Sequence, residues 1–339
     1  MFYPGTKVPG YFLRVPTGRK IEAREMGFTL RKWYFDFLTP QQQYLFVYFA
    51  HVRMLGAVIR SLTIHLAELD GGFRRTVSFR PRQHEEWVDE YKVHHIRMPE
   101  GEIGLSDAGA RITLERPECA VNLRFSLIGT SLTDPLIISG GGRRSISWRP
   151  IGLRAAVSGE ARLGDRTITV REVNGYMDHL DSTIFPLSTP VRTLYWGRIH
   201  HADVDLVYTH VADANTTRTW SRLYASNESG SIETAPVVLS VPAGSILAAR
   251  NAVVPDAYTI AGRTDSQAIR VRITHVAAVQ QGGFIDQQKL PAAARRLLKL
   301  LTRDPHSTKF LSRAEIEVER RKGKQTWHDV PLINEIARL

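Results

Sequence analysis

Apolar residues recur at every second position along much of the chain, and that period limits what the chain can become. Leu62, Ile64 and Leu66 alternate with Thr63 and His65, and Val121, Leu123, Phe125 and Leu127 alternate with Asn122, Arg124 and Ser126. The same pattern returns in Ile168 and Val170, in Ile269, Val271 and Ile273, and in Ile316 and Val318. Successive side chains of an extended strand point to opposite faces, so each segment predicts a half-buried strand. Turn formers fall between them: Asp70-Gly71-Gly72, Pro99-Glu100-Gly101, Ser158-Gly159, Gly164-Asp165, Ser229-Gly230 and Gly282-Gly283. Such breaks join antiparallel neighbours. Many strands with few helices between them predict an all-β protein of barrels or sandwiches rather than a parallel α/β sheet.

At roughly 150 residues per domain, the 339 residues predict two domains. The Gly-rich basic stretch Ile138 to Ser145 is the expected junction, dividing the chain into 1–140 and 145–339. Its triple glycine lacks the Lys-Ser/Thr ending and following helix of a phosphate-binding loop. One segment breaks the strand pattern. Pro291 suits a first helical turn, and Leu297, Leu298 and Leu301 follow at helical spacing, so a short amphipathic helix is expected from Pro291 to Thr302. It is basic, which suits it to packing on a sheet, closing a barrel end or making peripheral contact with an anionic membrane.

Composition excludes several classes. Lys plus Arg number 45 against 34 Asp plus Glu, a formal charge of +11. Most of the excess is single Arg residues on strand faces, as in Arg270-Val271-Arg272, so a solvated surface is expected and no nucleic-acid partner. No apolar run approaches the roughly 20 residues of a membrane helix, and Met1 to Lys20 carries Pro and Gly where a secretory signal is apolar, so a cytoplasmic protein is expected. The single cysteine, Cys119, excludes an internal disulfide and a Cys-rich zinc site and reads as a small core residue.

Charged, imidazole and aromatic residues crowd between Gly175 and His210. Read as one strand, Leu194 to His210 places Leu194, Trp196, Arg198, His200, Val204, Leu206 and Tyr208 on one face, an apolar wall with a few polar groups, and His201 on the other. Three uses of this cluster are open: a metal site of Asp178, His179 and His200; a structural set in which Asp178 is neutralised by Arg198; and an acid/base site centred on Asp178. No metal-ligand spacing of the His-Glu-x-x-His kind is present, so no metal is expected. Gly-x-Ser-x-Gly is also absent, so a serine hydrolase is not expected.

Several of these residues carry a family likeness. Val157-Ser158-Gly159-Glu160, Gly164-Asp165-Arg166, Gly175-Tyr176-Met177-Asp178-His179 and Trp196-Gly197-Arg198 resemble the central signature of the AttH-like and carotenoid 1,2-hydratase-like lipocalin superfamily. Lys32-Trp33-Tyr34-Phe35-Asp36 resembles its opening strand, so the likeness runs from about Gly27 to Val276. The family core reads Gly-Tyr-His-Asp-His-Asn; here Met177 replaces the first His and Leu180 the Asn, while Asp178 and His179 are kept.

The resemblance implies two packed lipocalin-like (calycin) β-barrels, no cofactor, and a pocket for a hydrophobic small molecule. Members of the superfamily hydrate carotenoids, and relatives include tocopherol-cyclase-like proteins and fungal Diels-Alderases. Alkene hydration needs a carboxylic acid joined to aromatic walls that stabilise a cation. Asp178, His179, Arg198 and His200 are therefore the candidate catalytic residues, with Tyr176, Trp196, Tyr208, Trp220 and Trp33 as the candidate substrate wall. An Arg198 guanidinium beside Asp178 would hold that carboxyl ionised. The expected function is a cofactor-independent enzyme that hydrates or cyclises an isoprenoid or polyene-type metabolite in a barrel pocket. A pericyclase that folds a polyene, and a non-catalytic lipophilic carrier, are the alternatives.

Overall fold

The computed structural model describes residues 28–338 apart from 55–56, 69–71, 90–92, 132–133, 140–143, 185–188, 202–203, 243–246, 250–251 and 284–305. The described chain is all-β. Its strands are β1 (Thr29–Leu38), β2 (Gln43–Met54), β3 (Ala57–Glu68), β4 (Arg74–Phe79), β5 (Glu85–Val88), β6 (His94–Met98), β7 (Gly101–Ser106), β8 (Gly109–Arg116), β9 (Cys119–Ile128), β10 (Leu136–Ser139), β11 (Ser145–Leu163) and β12 (Arg166–Ser182). They continue as β13 (Val191–His201), β14 (Val204–Asp213), β15 (Thr219–Ser226), β16 (Ile232–Ala235), β17 (Val238–Ser240), β18 (Leu247–Ala249), β19 (Ala252–Val254), β20 (Ala257–Arg263), β21 (Gln267–Gly283), β22 (His306–Arg320) and β23 (Gly323–Arg338).

Two large sheets account for nearly all of them. The first runs β4-β3-β2-β1-β12-β11-β9-β8-β7-β6-β5, with β10 beside β11. The second runs β16-β15-β14-β13-β23-β22-β21-β20-β17, and β18 and β19 pair separately. Because β11 and β12 pair with the first half of the chain, the sheets divide between Ser182 and Val191. The sequence had placed the junction at 140–145; its glycines 140–142 lie outside the described residues, as does the expected helix at 291–302. Two sets of pairings join β11 and β12 to the first sheet: β11 pairs with β9 and β12 with β11, and β1 lies antiparallel to β12, with Tyr34 opposite Asp178 and Asp36 opposite Tyr176. Ser158-Gly159, expected as a turn, lies inside the 19-residue β11, where a bulge between Val157 and Gly159 bends the strand.

The alternation builds three cores. Trp33, Phe35 and Phe37 of β1 join Leu45 to Phe49 of β2, Ile96 of β6, Ile112 of β8 and Val121 to Phe125 of β9 in one buried cluster. Strands far apart in the sheet share that cluster, so the first sheet curls around it; Cys119 lies there, fully buried, as expected. A second cluster fills the concave face of the second sheet with Ile199, Leu206, Tyr258, Ile273, Ile316 and Leu332. The opposite faces of the two sheets then pack on each other through Tyr34, Phe46, Trp148, Tyr176, Trp196, Val207, Leu311 and Ile333. Strands β1 and β12 are therefore buried on both sides, which accounts for the unbroken burial of 33–37 and 175–179.

Candidate active site

The seam between the sheets holds the densest buried polar chemistry. On β1, Lys32, Tyr34 and Asp36 share the seam face; β12 adds Tyr176 and Asp178, and β13 adds Trp196 and Arg198 from the other sheet. Arg198 Nε lies 2.7 Å from Asp36 Oδ1, and both side chains are buried. Tyr34 donates to Asp36 Oδ2 at 2.8 Å, and Tyr44 donates to the same oxygen at 3.3 Å. The partner of Arg198 is thus Asp36, and the expectation that Arg198 neutralises Asp178 is corrected.

Asp178 is governed by other groups. The Trp148 Nε1–H donates to its Oδ2 at 3.2 Å. Burial raises its carboxyl to about 6, the largest effect, against the lowering pull of Lys32, the Trp148 bond and Lys309. Around it the Tyr176 and Trp196 rings lie 5.5 Å apart, and Trp196 meets Tyr34 edge-on at 5.9 Å. Lys309 of β22 sits 4.7 Å from the Tyr34 ring centre and 5.1 Å from that of Trp196, and it is paired with Glu335 of β23. Glu335 stays ionised: burial alone would raise its carboxyl, but Lys309 and Lys32 outweigh burial and lower it. The Tyr176 hydroxyl interacts with Asp178 and with the Trp196 Nε1–H, whereas the buried Arg198 Nη2 makes no hydrogen bond among the described residues. An unsatisfied buried donor is costly, so Arg198 Nη2 and the Trp220 Nε1–H are the seam groups placed to meet an acceptor.

The remaining sequence-predicted residues separate from this group. Alternation puts His179 on the opposite face of β12 from Asp178, inside the first sheet, where its ring packs 4.9 Å from Trp33. Burial lowers its imidazole to about 3, so it stays neutral. His200 shares the face of Trp196 and Arg198 as expected, but its Nδ1 bonds Asp205 at 3.3 Å, and burial lowers its affinity for a proton. Asp178, His179 and His200 therefore do not converge on one metal ion. Tyr208 is misplaced by the single-strand reading: β13 and β14 are two antiparallel strands, and β14 turns Tyr208 into the second sheet's interior, bonded to Tyr258 at 2.6 Å. Gly197 is a glycine for the same reason, since a Cβ there would lie 2.3 Å from the Tyr208 hydroxyl. Trp220 does lie among the seam residues, with its Nε1 unpaired.

Sequence reading missed Asp36, Tyr34, Tyr44, Trp148, Lys309 and Glu335 as site residues. Asp36 carried a signal, an acidic residue within Trp33-Tyr34-Phe35-Asp36-Phe37, where a buried charge demands a partner. Lys309 and Glu335 meet through the β22–β23 register and carried none.

The same arrangement of sheets occurs in known structures. CghA in complex with Sch210972 superposes with a TM-score of 0.69 at 10% identity, covering 93% of this chain and 89% of that one. The chain shares this fold. The AttH-type protein NE1406 of Nitrosomonas europaea matches with a TM-score of 0.57 at 12% identity over 97% of both chains. Kievitone hydratase of Nectria haematococca gives 0.56 at 6% identity, covering 92% and 89%. At the level of sequence, no protein-family model matches and no curated protein matches. In this fold the seam described above lies between the two sheets, not inside either barrel-like curl, whose interiors are filled by core side chains. Among the described residues, no helix is long and apolar enough to cross a membrane.

Proposed function

We propose that this protein is an enzyme acting on a hydrophobic, isoprenoid or polyene-type small molecule at the seam between its sheets, with Asp178 as the proton donor. The observation that carries this reading is a buried carboxyl raised to about 6 beside the Tyr176 and Trp196 rings. An acid of that strength keeps roughly a tenth of its molecules protonated at pH 7 while its conjugate base still recovers a proton, the balance that general acid–base catalysis requires.

The chemistry follows from the placement. Asp178 gives its proton to one carbon of a trisubstituted alkene, and the tertiary cation formed is stabilised by the faces of Tyr176 and Trp196. In hydration, water adds to the cation and its proton returns to the Asp178 carboxylate. In cyclisation, a second double bond attacks the cation, and a proton from a carbon next to the new cationic centre returns to the Asp178 carboxylate as a double bond forms. Glu335 neutralises Lys309, so the ammonium near Trp196 adds little net positive charge against the cation. One observation favours a second reading: the unpaired Arg198 Nη2 is placed to donate to a substrate carbonyl, as a pericyclase would need. Two structural neighbours agree with small-molecule work, since one is by name a hydratase and another is bound to Sch210972.

The test is Asp178→Asn assayed on a substrate found by incubating the protein with extracts of its host. Proton donation predicts a loss of at least about a hundredfold in turnover with folding retained. A pericyclase would keep most of its turnover in Asp178→Asn and lose it in Arg198→Met. A carrier would show a stoichiometric ligand by native mass spectrometry and no turnover in either protein.

A further inference from the structure

We propose that His51, His84, Glu86 and His94 form a binding site for one divalent transition-metal ion of the zinc type inside the curl of the first sheet. The site is separate from the seam, since these residues project on the Trp33 side of β1, opposite Tyr34 and Asp36.

Four donor groups meet there from three places in the chain: His51 on β2, His84 and Glu86 at β5, and His94 on β6. One ligand atom each from His51, His84 and Glu86 lie within 4.8 Å of one another. His51 Nδ1 is 3.4 Å from Glu86 Oε1, His84 Nε2 is 2.7 Å from the same oxygen, and His94 Nε2 is 3.6 Å from Oε2. Ligands held at about 2.0–2.1 Å around a tetrahedral ion are about 3.3 Å apart, so the His51 spacing to Oε1 is already that of a loaded site, the His84 spacing needs to open slightly, and His94 approaches from the side of Oε2. Imidazole nitrogen with one carboxylate is the donor set that suits zinc and its neighbours, not calcium or magnesium.

Hydrogen bonding alone accounts poorly for the cluster. Three imidazoles crowd one carboxylate, and His94, only 3% exposed, has neither ring nitrogen hydrogen-bonded; His51 Nε2 is also unpaired. An ion bound to Glu86 would take His51 Nδ1 and His84 Nε2 as ligands in place of their contacts with Oε1, and would give the unpaired His94 Nε2, beside Oε2, a partner. Arg31 Nη1 lies 3.1 Å from Oε2 and fits the role of an outer group that orients the carboxylate. Arg60 Nε faces His84 Nδ1. Ligation through His84 Nε2 places the proton on Nδ1, so Arg60 turns away in the loaded form.

The experiment uses the full chain without an affinity tag, stripped with chelator and titrated with Zn²⁺ by calorimetry and with Co²⁺ by visible absorption. The expected result is one equivalent per chain, with the intense visible bands of four-coordinate Co²⁺ and a raised melting temperature. Glu86→Gln, which keeps the side-chain shape, and the double variant His51→Gln/His84→Gln should each weaken binding by at least about a hundredfold while circular dichroism stays that of the wild type. Absence of stoichiometric binding, or equal binding by wild type and folded Glu86→Gln, would overturn the proposal. If the double variant fails to fold, Glu86→Gln alone decides.

Discussion

Replacing Arg198 with Met perturbs the seam where its electrostatics are most concentrated. Asp36 is fully buried, with its Oδ1 held by the Arg198 Nε at 2.7 Å and its Oδ2 by the hydroxyls of Tyr34 and Tyr44. At an effective dielectric near 20, two charges at this separation attract by about 6 kcal/mol. The variant gives up that attraction while the two hydroxyls continue to solvate the carboxylate, and methionine keeps most of the stem volume. Breaking one side of such a buried pair costs about 3–5 kcal/mol, and we take that as the expected loss. The assay is urea unfolding of wild type, Arg198→Met, Asp36→Leu and the double variant. Removing both charges should recover most of the loss, giving a coupling of at least about 2 kcal/mol. A cost below about 1 kcal/mol for Arg198→Met, or a double variant as unstable as the sum of the singles, would refute the pairing and return Arg198 to Asp178 or to solvent.

Three further outcomes follow from the geometry. Asp178 titrates in the folded protein near 6, above its ordinary value of 3.8, so its ionisation opposes folding by about 3 kcal/mol. That stability is present below about pH 4, lost as pH rises to about 6 and constant above; the advantage of Asp178→Asn over wild type should grow across the same window in urea unfolding at pH 4.5, 6 and 7.5. Gly159→Ala should destabilise by more than about 2 kcal/mol, because Gly159 has φ +131° and an added Cβ would lie 2.0 Å from the Asn122 carbonyl oxygen. Asn334→Leu should cost about 2 kcal/mol in thermal unfolding, because the buried Asn334 accepts from Ser312 at 2.6 Å and donates to the Tyr258 hydroxyl at 3.0 Å.

How much of this was legible in the sequence depends on the range of the interaction. The period-two runs gave strands such as β3, β9 and β21 because alternation is local and each strand has a core face. That β11 pairs with β9 and carries β12 into the first sheet, where β12 meets β1 well over a hundred residues earlier, was not legible, because the Gly-rich stretch before β11 reads as a boundary. Asp178, Tyr176, Trp196 and Arg198 were found in advance and do come together. Their roles were not, because Arg198 could be matched to Asp178 or to Asp36 and only the register places Asp36 beside it. His200 fell on its expected face, whereas reading the two antiparallel strands β13 and β14 as one carried Tyr208 to the wrong one. His51, His84, Glu86 and His94 are spread over 44 residues with no ligand spacing, and curling of the sheet brings them together.

The account rests most on Asp178 being an acid that still holds its proton near neutral pH. Difference infrared spectroscopy of wild type against Asp178→Asn, followed from pH 4 to 8, reads this carboxyl directly through the carbonyl band of its protonated form. The band should be present at pH 5 and vanish with a midpoint near 6, the value set by burial against Lys32, Trp148 and Lys309. A midpoint at or below about 4, the range of an ordinary carboxylate, would contradict the account and leave the seam without its proton donor.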